Sequence, residues 1–232
     1  MSYQSGYAVV DLETTGFSHR DRIIEIGVVL LDSHLVFEST WETLIQPLRD
    51  IANSEIHQIT ATDVVDAPTF ADVAKHLGAV LNGRALVAHN ASFEQRFLAH
   101  EFERAGVAAG LPYQWIDTMH LASHYLGVKK LADALSRTGI HNDFPHSALG
   151  DAQATAKLFT HFATQHEAPI AGFPAALFTT PPASPVNLCP RGSVGGGGAW
   201  VQKLFQALPT SGHKNEERTA GVIALAQTLL GK

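Results

Sequence analysis

The fold is decided by the stretch Ala8-Val9-Val10-Asp11-Leu12-Glu13-Thr14-Thr15-Gly16, an apolar run that takes in two carboxylates and stops at a glycine. Side chains of a strand alternate between faces, so Asp11 and Glu13 project together from one of them. Two carboxylates this close repel each other unless a cation lies between them. Mg²⁺ and Mn²⁺ are the cations that suit a site made only of oxygen ligands. On this stretch alone, a strand end with two solvated acids remains the alternative.

Composition narrows the class of protein. The chain has 232 residues, of which 45% are hydrophobic and 16% charged, which predicts a globular fold with a substantial core. No apolar run is long enough to span a bilayer and the first residues lack a signal-peptide pattern, so we expect a cytoplasmic location. The single cysteine, Cys189, excludes an internal disulfide and a cysteine-based zinc site. A net charge of −6 argues against a broad phosphate-tracking surface but leaves a metal-neutralised acid pocket open.

Hydrophobic periodicity predicts an α/β domain that opens with three strands. These cover Tyr7–Asp11, Ile24–Leu31 and Val36–Ile45, and the short links between them favour an antiparallel meander. Two further short strands are expected at Ala85–Ala88 and Trp115–Asp117.

Helices are predicted between and after these strands. The first is a short one within Ile51–Thr60, and Ser92 with Gln95 fits a capping box at the start of another. The remaining predicted helices show an apolar stripe at helical spacing. The longer helices are expected at Thr69–Leu81, Ser92–Arg104, Leu131–Arg137 and Ser147–Phe162.

The last quarter of the chain changes in composition. We expect a main domain at 1–171, a Pro/Gly-rich linker at 172–199 and a C-terminal helical hairpin at 200–232. Each helix of this hairpin has an apolar face, and two such helices cannot bury both faces alone. They either pack back on the main domain or dock on a second subunit or partner protein.

Three further residues could join the two acids of the first strand. Glu94 opens a helix, Asp151 lies in the first turns of the last long helix, and His146 comes five residues before Asp151. Each has an alternative interpretation. Glu94 could only complement its helix dipole, and His146 could be a solvated loop residue beside Pro145. Taken together, they offer four carboxylates and one imidazole.

Four segments in order resemble the DEDDh 3′–5′ exonucleases, the DnaQ-like family that includes the proofreading epsilon subunit of DNA polymerase III. They are Asp11–Gly16, Ile56–Thr60, Val87–Glu94 and His146–Ala152, and the resemblance covers about residues 5–165. It implies a ribonuclease H-like fold, in which helices flank a mixed five-stranded sheet whose first three strands are antiparallel.

The resemblance also implies a function, which is metal-dependent removal of nucleoside 5′-monophosphates from single-stranded DNA 3′ ends. Two divalent ions, Mg²⁺ or Mn²⁺, would lie about 4 Å apart. By resemblance, Asp11 bridges both ions, Glu13 and Asp151 complete their shells, and Glu94 holds the second through water. His146 would take the proton from the attacking water, a role that suits an imidazole. The family has Asp where this chain has Glu94, so the additional methylene puts that ligand in question.

Substrate contacts are expected around the first strand and two later motifs. The family grips a terminal nucleotide with backbone N–H groups and stacks its base, which is worth about 1–3 kcal/mol per base. Phe17 would stack on or wedge beside the base, unless it packs into the core. The positions that the resemblance assigns to substrate are Thr14, Thr15, Gly16, Phe17, Ile56, His57 and Asn90.

Two other functions remain open. The chain could be a catalytically weak or inactive module that serves a polymerase or repair assembly through its C-terminal helices, and Glu94 favours that. It could instead trim RNA, which differs in tolerance of the 2′-hydroxyl and which no residue here decides.

Overall fold

One mixed sheet organises the part of the chain that the computed structural model describes, namely residues 6–108, 110–166 and 186–193. The sheet has five strands in the order β3-β2-β1-β4-β5. The strands are β1 (Tyr7–Thr14), β2 (Ile23–Leu31), β3 (Phe37–Leu44), β4 (Ala85–Ala88) and β5 (Ile116–Asp117).

The pairing of the strands is that of the expected fold. β1 is antiparallel to β2 and β2 to β3, whereas β4 is parallel to both β1 and β5. The predicted antiparallel meander of the first three strands is therefore confirmed. In this register Asp11 lies opposite Gly27, and Glu13 lies opposite Glu25.

Six helices accompany the sheet in the described residues. They are α1 (Ser54–His57), α2 (Phe70–Leu81), α3 (Ala91–Arg104), α4 (Thr118–Leu126), α5 (Leu131–Thr138) and α6 (Ala148–Gln165). Helix α4 has no counterpart among the helices that the sequence predicts. Its one clear signal is Asp117, whose carboxylate accepts the Met119 N–H and caps the helix.

The predicted capping box at Ser92 and Gln95 is wrong. Helix α3 begins one residue earlier, after Asn90 in a left-handed conformation with φ 79°. The hydroxyl of Ser92 donates to the Asn90 side-chain oxygen rather than capping the helix. A capping box is present instead at Thr69 and Asp72, where it opens α2.

The two faces of the sheet carry separate apolar clusters. The even-numbered residues of β1, such as Val10 and Leu12, pack with α2 and α3 through residues that include Phe70 and Phe97. The odd-numbered residues, such as Val9, pack with α6. Because side chains alternate along a strand, Asp11 and Glu13 lie on the α6 face.

Gly27 allows α6 to lie directly on the sheet. A Cβ at this position would be 2.3 Å from the backbone carbon of Ala148, so only glycine fits where the helix begins. Since Gly27 is the register partner of Asp11, this contact brings the first turn of α6 beside Asp11.

Three residues inside the predicted linker contact this domain. Val186 and Leu188 pack against the α2/α3 cluster. The Cys189 carbonyl accepts the Leu44 N–H at 2.7 Å, and its own N–H donates to the Thr43 hydroxyl at 3.0 Å, at the edge of β3.

The rest of the predicted domain division stays a prediction. Most of the 172–199 linker and the whole helical hairpin at 200–232 lie outside the described residues. Within the predicted linker the structure describes a 3₁₀ turn at Arg191–Ser193. None of the helices that the structure describes combines the length and apolarity that crossing a bilayer requires.

Candidate active site

Three carboxylates from two elements converge on one point. Asp11 and Glu13 on β1 and Asp151 in the first turn of α6 each offer an oxygen, and these oxygens lie within 4.8 Å of one another. The sequence placed the same three residues at the site. All three side chains are half-buried, so water or a substrate group can still reach them.

Asp11 shows that this arrangement suits a cation. Burial raises the pKa of Asp11 well above its ordinary value, and the charges of Asp151, Glu94, Glu13 and Glu25 raise it further. A divalent cation would remove this repulsion, and a set of oxygen-only ligands is what Mg²⁺ and Mn²⁺ prefer. The residues present therefore fit the metal that the sequence predicts.

The position of Asp151 is fixed by two donors. The Asn142 amide donates to its Oδ1 at 2.6 Å, and the His146 N–H donates to its Oδ2 at 3.2 Å. Burial raises the pKa of Asp151, while these hydrogen bonds and the nearby His146 and His89 act in the opposite direction. Asp151 is therefore oriented by protein groups alone.

The loop before α6 is held against the helix. The Phe144 N–H donates to the Asn142 side-chain oxygen at 3.1 Å. A Cβ at Gly150 would be 2.2 Å from the Phe144 carbonyl oxygen, so glycine is needed where the loop crosses the helix. A cavity of about 390 Å³ opens beside this loop. Its polar lining includes Asn142, His146 and Asp151.

His146 lies at the edge of the site. Its side chain is exposed, and its φ of 61° is in the left-handed region that non-glycine residues rarely adopt. Such backbone conformations persist where surrounding contacts enforce them, often at functional sites. Here the hydrogen bond from its N–H to Asp151 keeps the residue beside the carboxylates.

Glu94 stands apart from the other three acids. It is 4% exposed, and within the described residues its Oε2 has no hydrogen-bond partner. Burial raises the pKa of Glu94 well above its ordinary value, its own N–H opposes this, and the charges of Asp117 and Glu13 add to the rise. Glu94 is therefore a buried acid in the first turn of α3, and its roles as a metal ligand or as a complement to the helix dipole both stay predictions.

Glu25 is a site residue that sequence reasoning missed. It is fully buried opposite Glu13, and its Oε2 accepts the Ala148 N–H at 3.1 Å. This contact places the start of α6 against β2. Two signals were available in the sequence, since a lone carboxylate in an apolar strand needs a partner and a glycine two residues later indicates a close approach.

Asp117 was also missed, and it ties two helices together. Its carboxylate accepts the N–H groups of Asn90 at 3.0 Å and Ala91 at 3.1 Å, and that of Met119 at 2.8 Å. One side chain therefore caps both α3 and α4. The capping signal of an aspartate just before a helix could have located it.

His89, in the same motif as Glu94, is engaged within the fold. Its Nε2 lies 2.7 Å from the Lys129 carbonyl oxygen and must carry the proton there, while Nδ1 lies 3.0 Å from the Thr118 hydroxyl. Burial lowers the pKa of His89. His89 therefore links the end of β4 to Thr118 of α4 and to the segment between α4 and α5.

Two predicted substrate residues are available at the surface. Phe17 is 69% exposed, so it does not pack into the core, and its ring centroid lies 6.2 Å from that of Phe93. Ile56 is 43% exposed. Asn90 is half-buried at the start of α3.

His57 is not available in the way the sequence suggested. It is 2% exposed, its Nδ1 accepts the Ile59 N–H at 3.1 Å, and its Nε2 lies 3.0 Å from the Ala52 carbonyl oxygen. The ring therefore stabilises its own loop. The prediction that His57 closes over a substrate base is corrected, because the ring is buried and both of its nitrogens are engaged.

The turn after β1 also differs from expectation. The Thr14 hydroxyl donates to the Gly16 carbonyl at 2.7 Å, and the Thr15 N–H donates to the Arg22 carbonyl at 2.9 Å, so the Thr15 amide is already engaged. A Cβ at Gly16 would lie 2.6 Å from the Asp21 carboxylate. The Asp21 carboxylate therefore occupies the space that a side chain at position 16 would need.

The fold and the acid cluster define the class of protein, and comparison with known proteins gives the same answer. Residues 8–159 match the family RNase_T, described as an exonuclease family, and the chain belongs to this family. The predicted membership of an exonuclease family is confirmed.

Several relatives of the chain are DNA polymerase III proteins. The chain is 33% identical over 168 residues to a DNA polymerase III subunit epsilon of Buchnera aphidicola, covering 66% of this chain and 68% of that protein. It is 35% identical over 174 residues to a PolC-type DNA polymerase III of Thermotoga petrophila, covering 70% of this chain and 12% of that protein. The chain thus spans about an eighth of the PolC-type relatives that it matches.

A solved structure is similar as well. Exonuclease X in complex with 5′ overhanging duplex DNA has a TM-score of 0.58 and 27% identity, covering 70% of this chain and 94% of that one. A 3′-exonuclease that recognises a histone mRNA stem-loop superposes with a TM-score of 0.63 at 21% identity, which supports the fold. The predicted ribonuclease H-like architecture is confirmed.

Proposed function

We propose that this domain removes nucleoside 5′-monophosphates one at a time from the 3′ ends of single-stranded DNA, using divalent metal ions. The observation that carries the proposal is the convergence of Asp11, Glu13 and Asp151 within 4.8 Å. Membership of an exonuclease family supplies the reaction class, and similarity to epsilon subunits favours DNA over RNA.

The acids would hold two ions, Mg²⁺ or Mn²⁺. Asp11, Glu13 and Asp151 would be ligands, and Glu94 would contribute to the second ion, since its buried Oε2 has no hydrogen bond within the described residues. When bound, such ions neutralise phosphate oxygens and favour ionised water at neutral pH.

His146 would act as general base. Its N–H contact with Asp151 keeps it beside the acids, and its exposed side chain can reach a water molecule at the phosphate. The imidazole would accept one proton from that water, and the 3′-oxygen of the departing strand would take up a proton from solvent.

The nucleotide would be held at the turn after β1. Phe17 would stack on the terminal base, with Ile56 and Asn90 nearby and backbone groups of Thr14 and Gly16 at the sugar. The exposure of Phe17 and Ile56 supports this role. A polymerase or repair partner, bound through residues 200–232, is part of the same proposal.

A cleavage assay tests the proposal. A 5′-labelled single-stranded DNA and its RNA twin are incubated with Mg²⁺ or Mn²⁺, with wild type, Asp11→Ala and the control Asp66→Ala, which removes an exposed acid between α1 and α2. We expect the DNA to shorten from its 3′ end in wild type and control, and Asp11→Ala to stop it.

Two results would count against the proposal. Absence of shortening by wild type in either metal would favour the non-catalytic module. Faster shortening of the RNA twin would assign the activity to RNA instead.

A further inference from the structure

Five arginines from three parts of the chain gather around the loop between β1 and β2. The chain as a whole carries a net charge of −6, so this is an unusual concentration of positive charge. The arginines are Arg20 and Arg22 in the loop, Arg49 after β3, and Arg96 and Arg104 on α3.

Hydrogen bonds to the loop backbone fix this cluster. Arg96 donates to the Phe17 carbonyl at 3.1 Å, and Arg104 donates to the His19 carbonyl at 3.0 Å. Arg49 donates to the Arg20 carbonyl. The loop is therefore lined by guanidinium groups along its length.

The cluster keeps an excess of positive charge. In the described residues two acids pair with these arginines: Glu101, 2.5 Å from Arg22 and 3.5 Å from Arg104, and Asp21, 3.3 Å from Arg49. Five arginines therefore face two carboxylates. Four of these arginines are exposed, and Arg22 is half-buried. Guanidinium groups bind phosphate oxygens in bidentate geometry, so the surface fits a phosphate backbone.

The position of the cluster decides which strand it meets. Asp11 and Glu13 face α6, whereas the loop after Phe17 lies along α3 through its contacts with Arg96 and Arg104. If the terminal base stacks on Phe17 and its phosphate lies at the carboxylates, as the proposed function requires, the degraded strand ends at Phe17. A phosphate beyond Phe17 must then belong to another strand.

We propose that the arginine cluster binds the phosphate backbone of the complementary DNA strand where it runs past the 3′ end as a 5′ overhang. This inference rests on the proposed function for the position of the terminal base. It makes the cluster a surface for primer–template ends, and a lone single strand does not reach it.

Binding measured in EDTA tests this without cleavage. One labelled strand is used alone, or annealed to a longer complementary strand. In the duplex, the last two 3′ nucleotides of the labelled strand are mismatched, and the longer strand continues past them as a 5′ overhang. Arg20→Gln/Arg104→Gln is compared with wild type and with the control Lys75→Gln/Lys157→Gln, which removes two exposed charges from α2 and α6. Arg96 is left in place because it donates to the Phe17 carbonyl.

We expect the arginine variant to bind the overhang substrate roughly 3- to 10-fold more weakly, with a slope of log K against log salt shallower by about 2. Its binding of the single strand and both affinities of the control should be unchanged. Arg20→Gln alone, at an exposed side chain, should show about half of the change in slope.

Other outcomes overturn the inference. Equal weakening for the single strand would mean that the arginines hold the degraded strand itself, and no weakening for either would remove the surface. The proposed function itself fails if the wild-type protein binds these DNAs but cleaves none of them in Mg²⁺ or Mn²⁺. That result is distinct from a change in binding by the arginine variant.

Discussion

The α6 side and the α3 side of the acid site are built differently. On the α6 side, Asp151 receives hydrogen bonds from Asn142 and His146 and lies within 4.8 Å of the β1 carboxylates. On the α3 side, Glu94 is buried, and its Oε2 has no hydrogen bond in the described part of the chain. A buried oxygen without a partner costs about 1–3 kcal/mol. The protein thus orients one of the two proposed ligands by itself and leaves an oxygen of the other without a donor, which a bound cation would compensate.

The largest effect that tests this comparison should come from Asn142→Ala. It removes the donor that orients Asp151 and releases the Phe144 N–H. Loss of a group that orients a metal ligand typically costs 10–100-fold in affinity or activity. We expect kcat/KM to fall by about that factor and half-maximal activity to need more Mg²⁺, measured by metal titration of the cleavage rate.

The matched control for this variant is His141→Ala in the same loop. His141 is exposed, and its Nε2 lies 3.4 Å from a carboxylate oxygen of the exposed Asp143, so its removal should change neither quantity. A fall in rate by Asn142→Ala with no change in the metal requirement would show that Asn142 stabilises the loop and does not orient Asp151.

A smaller effect is expected from Glu94→Asp, which restores the residue of the resembling family. Because Glu94 is not held by a donor on its Oε2, the shorter side chain gives up no hydrogen bond there. We expect activity equal to or higher than that of wild type, by less than about tenfold or 1.4 kcal/mol, with a larger gain in Mg²⁺ than in Mn²⁺.

The exposed Glu103→Asp on the same helix is the control for this change. A loss of more than tenfold in Glu94→Asp alone would mean that the additional methylene is required. The two sides of the site would then be equally organised, contrary to the comparison.

Sequence patterns located the acids because their signal is local. Asp11 and Glu13 lie two residues apart in one strand and therefore share a face, and Asp151 lies in the first turn of a predicted helix. The sequence alone therefore indicates which element carries each acid. Glu25, Asn142 and Asp117 act through partners 123, 9 and 26–27 residues away, at Ala148, Asp151 and the start of α3. Such contacts depend on tertiary packing, which periodicity does not report.

The corrections have a similar cause. The family motif assigns His57 to substrate, but both of its ring nitrogens are already engaged within its own loop. Beside Gly16, the Asp21 carboxylate fills the space that a side chain would need, which leaves the backbone of Gly16 for the proposed substrate contact. A motif identifies a position, and packing decides whether the side chain serves the fold or the ligand.

The smallest effect concerns stability of the metal-free protein against pH. A carboxyl whose pKa is raised by folding keeps its proton in the folded state where the unfolded chain has lost it. Stability therefore falls as pH rises from the unfolded pKa, about 4.3 for Glu, to the raised folded pKa. Burial raises the pKa of Glu94 in this way, so Glu94→Gln should remove part of that fall.

Thermal unfolding in EDTA between about pH 4 and pH 8 measures this difference. We expect wild type and Glu94→Gln to converge at the acidic end and the variant to be more stable at the alkaline end, by a few degrees in Tm if the gain is about 1 kcal/mol. Added Mg²⁺ should stabilise wild type more than the variant, because Glu94 then faces a cation instead of Glu13 and Asp117 alone. Parallel curves in EDTA would mean that the charge of Glu94 is already compensated by the protein, and the distinction between the α3 and α6 sides would be lost.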